Sequence, residues 1–121
     1  MTVGTHSFTQ LDVWKKAHEL DLMTQKATES FPGREAFRLT DQSCRAAASV
    51  AANIAEGYAR RQPRDKIRFY NHSEGSLQEL KNHLLKAKGL GYLVNSDPFF
   101  KLIVDVESML RRLIAAVARD L

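Results

Sequence analysis

The chain has 121 residues and one cysteine, which makes it a single domain able to bury a core and excludes an internal disulfide. Its 44% hydrophobic content is that of a globular protein, no apolar run approaches the ~18 residues of a membrane span, and the opening Met1-Thr-Val-Gly-Thr-His-Ser lacks the basic and apolar stretches of a signal peptide. The net charge is +4, a mild basic bias, so a cytoplasmic protein with no membrane partner is expected, and the meaning of the charge depends on where it falls.

Residues 1–8 read as a polar lead and residues 9–121 as one helical unit. Thr9 offers a cap for a first helix, with Asp12 favouring its positive end. Val13, Ala17, Leu20, Thr24, Ala27 and Phe31 repeat at steps of four and three, the seam of an amphipathic helix, and Phe31-Pro32-Gly33 ends it. A connection leads to Thr40, which offers the next cap.

The second helix, Asp41 to Arg61, lacks proline and is dense in alanine, with Leu39, Ser43, Ala46, Val50, Asn53 and Gly57 as its inward row. So thin a helix implies neighbours packed close on several sides. Arg45, Ser49, Asn53 and Glu56 fall along one face, a polar seam for another helix or another subunit to satisfy.

Gln62-Pro63 marks a break, with Pro63 at the first turn of a third helix. That helix turns Phe69, Ser73, Ser76, Leu80, Leu84 and Ala87 inward and ends at Gly89, Gly91 and the turn Asn95-Ser96-Asp97-Pro98. Asp97 or Ser96 caps the last helix, whose stripe is Phe99, Leu102, Ile103, Val106, Met109, Leu110, Leu113 and Val117. No segment alternates with a strand period. The expected fold class is all-α, an antiparallel up-down-up-down four-helix bundle.

Folding helices two and three about Gln62 puts Arg45 level with Glu79, Ser49 with Gly75, and Asn53 with Asn71. An interhelical Arg45–Glu79 ion pair, at least half buried, is expected. The first connection puts Trp14 level with Gly57 and His18 level with Asn53, an indole over a glycine. Ala47, Ala51, Ile54 and Tyr58, with Leu77 and Leu85 on the third helix, lie one step off the inward rows. That surplus apolar surface points to a homo-oligomer.

Signals for catalysis are sparse. No Glu-x-x-His pair of the di-iron kind is present, and Glu79 with His83 reads as a solvated helix pair. His18 reads as a hydrogen-bonded partial-core histidine, Cys44 as a buried inert thiol, and Gly75, Gly89 and Gly91 as packing or capping residues. The expectation is no enzyme, no metal and no cofactor. Residues 59–69 instead concentrate Arg60, Arg61, Arg64, Lys66 and Arg68 against Asp65, a local +4 equal to that of the whole chain. In an up-down bundle Lys15, Lys16 and Arg119 join that pole. Tyr58 is either a base-stacking aromatic or a packing residue, and the basic cluster either a phosphate-binding pole or a solvated turn. Two functions follow, a nucleic-acid-binding oligomer for RNA or DNA, or a protein-binding scaffold.

Arg45-Ala46, Ser49, Asn53-Ile54-Ala55-Glu56-Gly57 and Arg60, followed by Phe69, Gly75-Ser76, Glu79-Leu80 and Gly91-Tyr92, resemble a group of bacterial four-helix-bundle proteins encoded in intervening sequences of 23S ribosomal RNA genes. Phe8, Leu11, Val13-Trp14, Ala17-His18, Leu20 and Phe31-Pro32 fit the same pattern, so the resemblance runs from Phe8 to about Leu121. It implies an antiparallel four-helix bundle. That family is similar to the accessory variability determinant proteins of diversity-generating retroelements, pentameric rings that bind nucleic acid and a reverse transcriptase. The resemblance therefore implies a homopentamer as the favoured assembly.

Overall fold

Prolines and glycines divide the chain into four long helices, α1 (Asp12–Ala27), α2 (Asp41–Ala59), α3 (Pro63–Gly89) and α4 (Asp97–Ala118), in a computed structural model that describes residues 7–121. The described residues contain no strand, and the fold is all-α. None of the helices is long and apolar enough to cross a membrane. Residues 1–6 of the polar lead lie outside the described residues.

The expected breaks hold, but the caps differ. Pro63 and Pro98 occupy first turns, where a missing N–H costs nothing. α3 closes with Gly91 at φ +80°, while the N–H of Tyr92 donates to the carbonyl of Ala87 at 2.9 Å and that of Gly91 to Lys88 at 3.0 Å. This double bond around a left-handed glycine satisfies the last carbonyls and turns the chain toward α4. Ser7, not Thr9, does the capping at the start: its Oγ accepts from the Thr9 N–H at 3.2 Å and covers a 3-10 turn, Phe8–Gln10, ahead of α1. Thr40 caps nothing. It is helical itself, the last residue of a π-helical turn, Ala36–Thr40, that runs straight into α2. Nothing after Gly33 breaks that stretch, and Glu35 and Leu39, one turn apart, are both buried.

Each helix packs chiefly on two others in a cycle, α1 on α2, α2 on α3, α3 on α4 and α4 on α1, with α2–α3 the closest pair. Contacts between α2 and α3 pass from Ser49 with Ser76, through Val50 with Ser73, to Gly57 with Tyr70. Between α3 and α4 they pass from Gln78 with Glu107 to Glu74 with Arg111. The core contains Val13, Ala17 and Leu20 of α1, Val50 and Ile54 of α2, Leu80 and Leu84 of α3, and Ile103, Val106 and Leu110 of α4.

Three packing expectations are corrected. Tyr70, 1% exposed, fills the core where Phe69 was expected, and Phe69 is only half-buried. Ala47, Ala51, Ile54 and Leu77, expected to face another subunit, are buried within the single chain. The side chains of α2 are so short that the helix sinks between α1 and α3 and buries two rows instead of one. Trp14 does not cover Gly57. It stacks on His18 at 4.6 Å and takes Phe8 edge-on at 5.2 Å, and the ring against Gly57 is Tyr70.

Candidate nucleic-acid interface

The basic residues gather where α2 ends and α3 begins. Only Arg60, Arg61 and Gln62 separate the two helices, and the last turn of α2 runs out of helical donors there, the Gly57 carbonyl accepting only the Arg60 N–H at 3.2 Å from the backbone. Lys66 supplies a donor: its Nζ donates to the carbonyl of Tyr58 at 2.9 Å and to that of Gly57 at 3.3 Å, while lying 5.5 Å from the centre of the Tyr58 ring. Lys66 was expected to contact phosphate; in the structure its ammonium caps α2. Tyr58 is half-buried beneath it. The adjacent Tyr70 hydroxyl has its pKa pushed up to about 12, first by burial and second by the charge Tyr58 carries when ionised.

Arg60 and Arg68 converge on one aromatic ring. Their guanidinium carbons lie 4.6 Å and 4.8 Å from the centroid of Phe69, and His72 meets the same ring edge-on at 6.2 Å. Both arginines are anchored by carboxylates: Arg60 donates to Glu56 at 2.9 Å, and Arg68 sits 3.9 Å from Asp65. Arg61 and Arg64 are exposed and make no ion pair among the described residues. Arg64 shares a groove with Gln62, Pro63, Asp65, Asp120 and Leu121, so the end of α4, with Arg119, lies at this pole.

Lys16 is committed elsewhere. It pairs with Asp105 near the middle of α4 at 3.4 Å. Lys15 next to it is exposed and forms no ion pair among the described residues. The structure thus brings together Arg60, Arg61, Arg64 and Arg68, with Arg119 next in sequence to the Asp120 and Leu121 that line the Arg64 groove. It leaves Lys16 apart and uses Lys66 structurally.

The polar seam forms, with a different membership. Ser49 and Ser76 hydroxyls lie 2.8 Å apart across α2 and α3, and the Asn53 amide donates to the Ser49 carbonyl and hydroxyl, both at 2.9 Å. Ser73 donates to the Val50 carbonyl at 2.7 Å, a bond that only a close helix approach allows. The Arg45–Glu79 pair is not made. Arg45 binds Asp41 at 2.9 Å and Glu79 faces His83 at 3.7 Å, each one turn away on its own helix. The two side chains, 79% and 60% exposed, remain on opposite lips of a groove floored by Ala46, Ser49 and Ser76. Water solvates both charges there, so nothing drives them to pair across the gap.

No three His, Cys, Asp or Glu residues are grouped to hold a metal among the described residues. His18 is half-buried and stacked rather than hydrogen-bonded among the described residues, and Cys44 is half-buried with its Sγ 3.3 Å from the Thr28 hydroxyl. Sequence reasoning missed Phe69 and His72 as members of the basic pole. The signal was present in Arg68-Phe69-Tyr70, an aromatic interleaved with a cation, but Phe69 also fitted the inward row.

Comparison with curated proteins returns no match. The sequence profile of the 23S rRNA-intervening sequence protein family matches residues 9–115, which contain all of α1, α2 and α3, most of α4 and the arginine cluster. Over that length the chain belongs to the 23S rRNA-intervening sequence protein family.

Proposed function

We propose that this protein is an oligomeric nucleic-acid-binding protein, its ligand RNA or DNA with RNA favoured by the family's name, built as an antiparallel up-down-up-down bundle. The opposed progression of contacts along α2 against α3, and α3 against α4, supports that topology. The observation that carries the binding reading is the placement of Arg61 and Arg64, exposed and free of ion pairs among the described residues, beside the Arg60–Phe69–Arg68 cluster. Phosphate contact there is electrostatic and weakens steeply with salt. The role is binding, not catalysis, in the cytoplasm. An anisotropy titration at low salt tests it: wild-type protein binds labelled RNA or DNA, and Arg61→Glu with Arg64→Glu abolishes binding. No binding by the wild type, or binding unaffected by the charge reversals, refutes the reading.

Assembly as a homopentamer rests on the resemblance, since the second row of α2 is used up inside the chain. The exposed Leu22, Leu85 and Val104 are among the apolar side chains left for a second copy. Light scattering decides it, a mass near 13.7 kDa excluding any oligomer. A second reading, a protein-binding scaffold, is favoured by Phe37, 94% exposed on the π-helical turn, and Val94, 86% exposed two residues beyond Tyr92. Tyr92 hydrogen-bonds Glu35 at 3.1 Å, which places both apolar residues around one joint. A protein partner whose binding is lost with Phe37→Ser and survives nuclease treatment would favour that reading.

A further inference from the structure

From the geometry around Phe69 we infer that the Arg60–Phe69–Arg68 cluster is a stacking shelf for unpaired bases, so that this pole binds single-stranded in preference to duplex nucleic acid. The inference rests on the nucleic-acid reading above and specifies its ligand. Both guanidinium carbons lie within 5 Å of the ring centre, at 4.6 Å and 4.8 Å, inside the range where a cation is held over an aromatic face. Arg60 is held from the side by its hydrogen bond to Glu56, and Arg68 has the Asp65 carboxylate 3.9 Å away. Yet the two side chains stay 43% and 58% exposed, so both remain within reach of a ligand. His72, exposed and edge-on to the same ring, stands at the rim of the shelf.

Charge separates the two candidate ligands. A duplex is gripped mainly by its phosphates and hides the faces of its bases. Two arginines offset by Glu56 and Asp65 leave this cluster close to neutral, which gives a duplex backbone little to hold. Stacking on a guanidinium or aromatic plane needs no net charge, only a base free of its partner. Arg61 and Arg64, outside the neutralised cluster, supply the phosphate contacts that hold the strand alongside.

The test is anisotropy with a short fluorescent RNA of mixed sequence, single-stranded and then annealed to its complement. The single strand is expected to bind about tenfold or more tightly than the duplex. Phe69→Leu keeps an apolar side chain at a half-buried site, and its fold is checked by circular dichroism. It is expected to weaken single-strand binding about fivefold or more, pulling it toward the duplex value. Arg61→Gln is expected to weaken both ligands and lower the salt slope by about one. Equal or tighter duplex binding, or a single-strand preference that survives Phe69→Leu, overturns the shelf while leaving nucleic-acid binding intact. Failure to bind the single strand and the duplex, each made as RNA and as DNA, overturns the parent reading and the shelf together.

Discussion

The ring of Tyr70 occupies the space that Gly57 leaves by having no side chain: a Cβ on Gly57 would stand 2.5 Å from Cε1 and 2.8 Å from Cδ1. Tyr70 is 1% exposed and cannot swing clear. Gly57→Ala gains about 1 kcal/mol of helix propensity but overpacks a closed core, which costs about 1–3 kcal/mol. A net loss of up to about 2 kcal/mol in urea unfolding is expected. A more stable Gly57→Ala variant would show that the helices can part there.

Gly75 is the opposite case. It lies exposed in the interior of α3, and an added Cβ would meet nothing within 4 Å. In the isolated chain Gly75→Ala is expected to raise stability by about 0.5–1 kcal/mol, the propensity difference alone. If the variant instead falls apart into smaller species by light scattering, the backbone of a second copy packs against that glycine.

Tyr70 also sets a pH limit. Its pKa rises from 10.0 to about 12 in the folded protein through burial and then through Tyr58. Above pH 10 the unfolded chain releases this proton while the native protein keeps it. The contribution is therefore whole below pH 10 and is lost as pH climbs toward 12, about 3 kcal/mol for a shift of this size. The readout is a difference between two variants, which cancels whatever they share. Stability of the wild type is expected to fall from pH 10 to pH 12 by about that much more than stability of Tyr70→Phe.

Helix number, helix breaks and most inward rows were legible because periodicity and proline placement are local. Register was legible across the turn from α2 to α3, though not across the first connection. Mirroring about Gln62 matched Ser49 to Gly75, and the structure joins Ser49 to Ser76, one residue away. Partners were not. Arg45 and Glu79 were expected to pair across the helices, but they line one groove and each takes a carboxylate or imidazole on its own helix, a choice set by exposure, which the sequence does not encode locally. The π-helical entry to α2 was hidden for a related reason. It is defined by what Glu35 and Leu39 are buried against, not by a breaker residue.

Glu79→Gln is accordingly expected to change stability by less than about 0.5 kcal/mol, as for other exposed one-turn pairs. Arg45→Gln is expected to behave alike. A loss of several kcal/mol in thermal unfolding for either variant would mean that the two charges are buried together, as in an interface between copies, where removing one partner strands the other.

At the basic pole, sequence located the cations but could not sort them. Five basic residues within ten positions looked equivalent, and the structure splits them into a cap, a ring clamp and free ends. The distinction between Lys66 and Arg61 can be measured. Lys66 donates to two carbonyls at the end of α2, charge-assisted bonds that also oppose the negative end of the helix dipole. Lys66→Met keeps the aliphatic stem over Tyr58 and removes the donor. It is expected to lower stability by about 1–2 kcal/mol, while Arg61→Gln, exposed and without an ion pair among the described residues, stays within about 0.5 kcal/mol. In the binding assay the order reverses: Arg61→Gln lowers the salt slope by about one and Lys66→Met leaves the slope unchanged. If Lys66→Met lowers the slope and spares the unfolding midpoint, Lys66 reaches phosphate in solution and the end of α2 is closed by water instead.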